Sequence, residues 1–119
     1  PLFTIVPMGR ECFVDRKNPD PVDRSWAEKG WRLAQDSVRN GKYPVVILDE
    51  INVAVRYGLV PLDELLALMK NKPAGVELIL TGRWARPEVI RRADLVTEMK
   101  EVKHYYRRKG IESRIGIER

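Results

Sequence analysis

Residues Tyr43 to Gly58 read YPVVILDEINVAVRYG, and the fold turns on how this stretch is read. Val45 to Leu48 is a continuous apolar run, the pattern of a parallel strand covered on both faces rather than of a half-exposed one. It runs straight into two acids, Asp49 and Glu50. Ile51 to Tyr57 then takes a helical composition, with Gly58 to end it. A buried strand that delivers paired carboxylates to its carboxyl end has the form of the metal-binding edge of a nucleotide site.

Working outward, the same alternation recurs. Pro61 to Asn71 (PLDELLALMKN) is an amphipathic helix, with Pro61 opening it, Asp63 and Glu64 in its first turn and Pro73 beyond its end. Val76 to Thr81 (VELILT) is a second buried strand, followed by the turn Gly82 to Arg86 (GRWAR). Pro87 to Ala93 forms a short helix, and Leu95 to Met99 a further strand. Upstream, Leu2 to Val6 reads as a strand and Gly9 to Val22 as a long, proline-bearing loop. A helix runs from Asp23, with Trp26, Gly30, Leu33, Ala34 and Val38 at threes and fours, and closes at Asn40-Gly41. The tail from Glu101 shows no periodicity. Strands that alternate with helices through short turns imply right-handed βαβ units, a parallel sheet and a single α/β domain over residues 1–119. The helices would then cover both faces of that sheet, making three layers.

Composition narrows the function. The chain is 44% hydrophobic and 33% charged, with 22 Lys and Arg against 17 acids, a formal charge of +5. That balance favours polyanionic partners. Charge alone would also admit a basic nucleic-acid-binding domain, although nothing else in the sequence points to one. The single cysteine, Cys12, permits no internal disulfide, suits a reducing compartment such as the cytoplasm, and lacks metal-ligand spacing. No apolar run approaches the ~20 residues that span a bilayer.

In a parallel sheet ligands gather at the carboxyl ends of the strands. Asp49-Glu50, Thr81-Gly82-Arg83 and the loop near Pro7-Met8-Gly9 are therefore expected on one edge. Two readings of the acids stay open: ligands for a hard cation, or an acidic N-cap with a first-turn glutamate. Arg83 is either an anion-binding residue or an exposed loop arginine. Trp84 is either a ligand wall or an aromatic packed on the sheet edge. Trp26 and Trp31 are core or interface residues, and His104, the lone histidine, is structural or solvent-facing. A phosphate-cradling loop is not found. Gly41-Lys42 is followed by Tyr43 rather than Ser or Thr and precedes a strand, whereas such a loop follows one.

Taken together, several ordered blocks resemble the P-loop type of ATP:corrinoid adenosyltransferases. They are the strand ending in Asp49-Glu50 with Ile51-Asn52-Val53-Ala54 and Arg56-Tyr57-Gly58, then PLDELL, LILTGR, ADLVTEM and EVKH. The resemblance implies a RecA-like fold, homodimerisation, a reductase partner, and transfer of the 5′-deoxyadenosyl group of ATP to the Co(I) of a corrinoid with Mg²⁺. Co(I) would be the nucleophile, so no catalytic side chain is implied. It also implies Glu50 and Asp49 at the Mg²⁺–triphosphate site, and Thr81, Gly82 and Arg83 along the nucleotide. Gly9, Phe13, Asn52 and Arg56 would lie toward the corrinoid. In this sequence GRECFVD stands where such proteins carry Gly-Phe-Thr-Trp, and the end keeps Gly116, Ile117 and Glu118. The chain is accordingly expected to be the C-terminal part of such an enzyme, inactive alone, with the phosphate loop upstream. The alternative is a non-catalytic corrinoid- or nucleotide-binding relative.

Overall fold

The computed structural model describes residues 3–9, 14–15 and 17–115. Its elements are α1 (Pro21–Arg39), β1 (Val45–Leu48), α2 (Ile51–Arg56), α3 (Leu62–Asn71), β2 (Glu77–Leu80), α4 (Pro87–Arg92) and α5 (Tyr105–Lys109). β1 and β2 pair in parallel, Val45 beside Glu77 through Leu48 beside Leu80, and α2 and α3 form the crossover between them. The α/β class and its parallel pairing thus hold.

Local chemistry explains the boundaries. α1 starts at Pro21, two residues before the expected Asp23. The Val22 amide donates to Asp20 Oδ1 at 2.8 Å, and a proline in the first turn gives up an N–H that would have no helical partner there. Its other end closes as expected, on Asn40 with Gly41 at φ +64°. α3 begins at Leu62, because Pro61 is held extended as its N-cap. Lys72, the residue before Pro73, is extended as well, which stops the helix.

The core gathers Trp31 and Val38 from α1, Val46 from β1, Ile51 from α2, Leu65 and Leu68 from α3, and Val89 from α4, with Val60 and Val76 from the connections. Trp31 Nε1 donates to Glu64 Oε2, tying α1 to α3. Trp31, not Trp26, is the core tryptophan, because the buried face of α1 runs through Trp31, Ala34 and Val38. Trp26 and Leu33 fall outside that stripe and are exposed.

Three expectations change. Among the described residues the sheet is covered on one face rather than two: Val46 points into the core, while Val45, Ile47 and Ile79 alternate outward, Ile47 being 49% exposed. The described residues thus show two of the three layers foreseen, a two-stranded parallel sheet and the helices on one face of it. No strand forms over 3–6 or 95–99, whose apolar residues Phe3, Ile5, Leu95 and Met99 are exposed (Leu2 lies outside the described residues). β-branched composition suits a strand, but a strand exists only through a paired neighbour, and among the described residues none lies beside these segments. The tail does contain one regular element. In α5 His104 Nδ1 accepts from the Tyr106 amide at 3.2 Å and Gly110 closes the helix at φ +63°, so His104 is structural.

Candidate functional site

Because β1 and β2 end in register, the residues just beyond them meet. Thr81 Oγ1 donates to Asp49 Oδ1 at 2.6 Å and accepts from the Glu50 amide at 2.9 Å. The Thr81 carbonyl accepts from the Asn52 amide at 3.2 Å, and the Thr81 amide donates to the Leu48 carbonyl at 3.2 Å. One threonine therefore ties the carboxyl end of β1, the first turn of α2 and the end of β2 together. The sequence brought these residues to one edge, and they are there.

The two acids do different things. Asp49 is oriented by Thr81. Glu50 occupies the N-cap of α2, yet its side chain makes no capping bond, and its backbone is left-handed at φ 56°, ψ 20°. The acidic-cap reading left open above therefore fails for Glu50: the carboxylate is not spent on the helix. Both carboxylates are exposed.

Gly82 is required by the packing. Its φ is +113°, and a Cβ there would lie 3.2 Å from Glu50 Cα and 3.4 Å from Asn52 Cβ. Asn52 is buried at 6% exposure and donates from Nδ2 to the Gly82 carbonyl at 3.3 Å, while its Oδ1 has no partner among the described residues. Asn52 thus wedges α2 under the Gly82 turn. Beyond Gly82, Arg83 lays its guanidinium 4.7 Å from the centre of the Trp84 ring, and Trp84 stacks on Tyr57 with centroids 6.5 Å apart at 28°. Trp84 has φ +63°, and it and Glu50 are the two non-glycine residues with positive φ among those described. Backbone strain costs about 1–3 kcal/mol per residue and collects at functional sites. Here both instances border one edge.

Other expected site residues fall elsewhere. Arg56 sits in the last turn of α2, about 6 Å along the axis from Asn52. Gly9 follows Met8, whose side chain lies against Gly30 of α1, and no hydrogen bond among the described residues joins Gly9 to the Asp49–Thr81 edge. Phe13 and Cys12 lie outside the described residues, as do Gly116, Ile117 and Glu118. The sequence reading gave Tyr57 no site role beyond its place in the Arg56-Tyr57-Gly58 block. Its other signal was an aromatic just before the helix-ending Gly58.

No group of three or more His, Cys, Asp or Glu among the described residues could hold a metal. Two exposed carboxylates fit a hard cation that takes its remaining ligands from water and phosphate oxygens, which is the habit of Mg²⁺ rather than of a structural metal. No described helix is long and apolar enough to cross a membrane.

The fold and its edge define a class: a parallel α/β protein in which Asp49, Glu50 and Thr81 meet where β1 and β2 end. A family model described as ATP:corrinoid adenosyltransferase BtuR/CobO/CobP matches residues 1–119, so the chain belongs to the ATP:corrinoid adenosyltransferase family. A corrinoid adenosyltransferase of Sinorhizobium sp is 41% identical over 97 residues, which is 81% of this chain and 45% of that protein. One from Pseudomonas aeruginosa is 38% identical over 96 residues, 81% of this chain and 47% of that protein. An uncharacterized Nostoc sp protein, all2391, is 40% identical over 103 residues, 87% of this chain and 27% of its own length. The chain spans about half the length, or less, of the curated relatives it matches.

Proposed function

We propose that the protein carrying this chain transfers the 5′-deoxyadenosyl group of ATP to the Co(I) of a reduced corrinoid. The electron pair of Co(I) forms the Co–C5′ bond, the C5′–O bond breaks, and its electrons leave on triphosphate. In this reading Co(I) is itself the nucleophile, so no protein nucleophile is needed. The observation that carries the reading is the Asp49–Thr81–Glu50 edge at the ends of β1 and β2, in a chain matched along its whole length by the family model.

In this reading Asp49 and Glu50 hold Mg²⁺, which when bound offsets the charge gathering on the leaving triphosphate. Thr81 fixes the Asp49 carboxylate, Gly82 keeps the turn close to Glu50, and Arg83 takes a phosphate oxygen. Asn52 acts from beneath, by setting α2 against the Gly82 turn. The 119 residues carry no G-x-x-x-x-G-K-[ST] loop, so the amides that would cradle the triphosphate are not among them. We infer that these residues form one domain, the acid-bearing part of a RecA-like fold. The whole enzyme is read as a cytoplasmic homodimer supplied with electrons by a reductase.

The test is to incubate the protein with chemically reduced corrinoid, ATP and Mg²⁺, and to follow the visible spectrum and triphosphate release. Adenosylated corrinoid and triphosphate should appear in equal amounts. Triphosphate without a Co–C product would refute transfer, and a bound corrinoid that never reacts, with no triphosphate released, would favour the non-catalytic alternative.

A further inference from the structure

The Arg83–Trp84–Tyr57 stack is unexplained by fold or core. Trp84 is 50% exposed, so it contributes little to the interior, and its backbone is left-handed, which is costly for a bulky side chain. Glycine would hold that turn without strain. What the indole does instead is carry a guanidinium on its face, 4.7 Å from the ring centre. Tyr57, at the end of α2, braces the indole from beside it.

An arginine on an exposed turn otherwise samples many rotamers. Stacking restricts it while leaving its N–H donors free, because they lie in the guanidinium plane. Among the described residues no carboxylate pairs with Arg83. Its place along the chain puts its backbone next to the acids: Gly82, the preceding residue, packs against Glu50. Two acids and one uncommitted, stacked cation therefore share one edge. That set matches a polyanion bridged to the acids by a divalent cation and held at another oxygen by the guanidinium.

We propose that Trp84 is a positioning residue, which with Tyr57 mounts Arg83 to receive a phosphate oxygen of a polyphosphate bound at the Asp49–Glu50 edge. This rests on the functional reading above and adds to it the residues that orient the cation.

The experiment is a titration of the ¹⁵N-labelled chain with inorganic tripolyphosphate and Mg²⁺, watching the tryptophan indole N–H and arginine Nε–H signals. Millimolar binding is sufficient for this readout. The Trp84 and Arg83 signals should move, while that of Trp31, bonded to Glu64, stays in place. Trp84→Phe keeps a ring and should bind within about twofold of wild type, whereas Trp84→Gly should weaken binding about fivefold, the worth of an exposed cation–π contact. Arg83→Lys should also weaken it. A merely structural role predicts that Trp84→Gly melts lower; the positioning role predicts that it melts no lower, since glycine relieves the strain.

Unmoved Trp84 and Arg83 signals, or a Trp84→Gly variant that binds like wild type, would overturn the proposal. Shifts as expected in a protein that makes no adenosylated corrinoid would leave the positioning role standing and sink the transfer reading. Transfer by the protein, with ATP use in Trp84→Gly unchanged, would do the reverse.

Discussion

Replacing Gly82 by alanine should damage this protein out of proportion to one added methyl group, and the structure says by how much. At φ +113° an alanine is outside the regions open to L residues, which costs about 1–3 kcal/mol. The new Cβ would also stand 3.2 Å from Glu50 Cα, 3.3 Å from Glu50 Oε2 and 3.4 Å from Asn52 Cβ. The Glu50 carboxylate can swing away, but the Glu50 backbone cannot, because its amide is fixed to Thr81 Oγ1 and its carbonyl accepts from the amides of Val53 and Ala54. Strain and displacement together should destabilise by about 2–3 kcal/mol, a fall in Tm of about 8–12 °C for a domain of this size. Two other glycines calibrate the result. Gly58 has φ +68° but open space around it, so Gly58→Ala should cost only the conformational part, about 1 kcal/mol. Gly75 has neither a positive φ nor a neighbour within 4 Å, so Gly75→Ala should stay within about 0.5 kcal/mol of wild type. Thermal melts followed by circular dichroism would rank the three. Equal melting of Gly82→Ala and Gly75→Ala would refute the argument that the turn is pressed against Glu50.

Three further outcomes follow from the same contacts. Thr81→Val removes the bond to Asp49 and the acceptor for the Glu50 amide; urea denaturation should show a loss of about 1–2 kcal/mol that Thr81→Ser largely restores. Leu65 is 0% exposed at the centre of the core, so Leu65→Ala should cost about 2–5 kcal/mol in the same assay. Calorimetry of the 119-residue chain with ATP and Mg²⁺ should find binding weaker than micromolar, because the backbone amides of a phosphate loop are not among these residues. A micromolar constant would mean that the Asp49–Arg83 edge holds triphosphate by itself.

The parts of the fold that could be read from sequence are those specified locally. Val45–Leu48 is an apolar run and Glu77–Leu80 a largely apolar one, and once the two pair as parallel strands in register, Asp49 and Thr81 are neighbours. Leu2–Val6 and Leu95–Met99 have equal β character, but a strand depends on a distant partner that composition does not name. Covering of the outer sheet face fails for a related reason, since an apolar run shows what could be buried without showing by what. At the site, residue types were legible and backbone states were not. The left-handed conformations of Glu50 and Trp84 occur where segments about thirty residues apart meet, and Asn52 is buried beside the turn at Gly82. Tyr57 became visible only when α2 brought it beside Trp84.

The proposed function requires the edge formed by Asp49, Glu50, Thr81 and Gly82 to be the metal–polyphosphate site. The most direct test is paramagnetic broadening of backbone amide signals by trace Mn²⁺, in place of Mg²⁺, with tripolyphosphate. Signal should be lost at Asp49 to Asn52 and Thr81 to Arg83, and that loss should be abolished by Asp49→Asn combined with Glu50→Gln. Broadening centred on the basic residues Lys103 to Lys109 instead, or unchanged in that double variant, would contradict it.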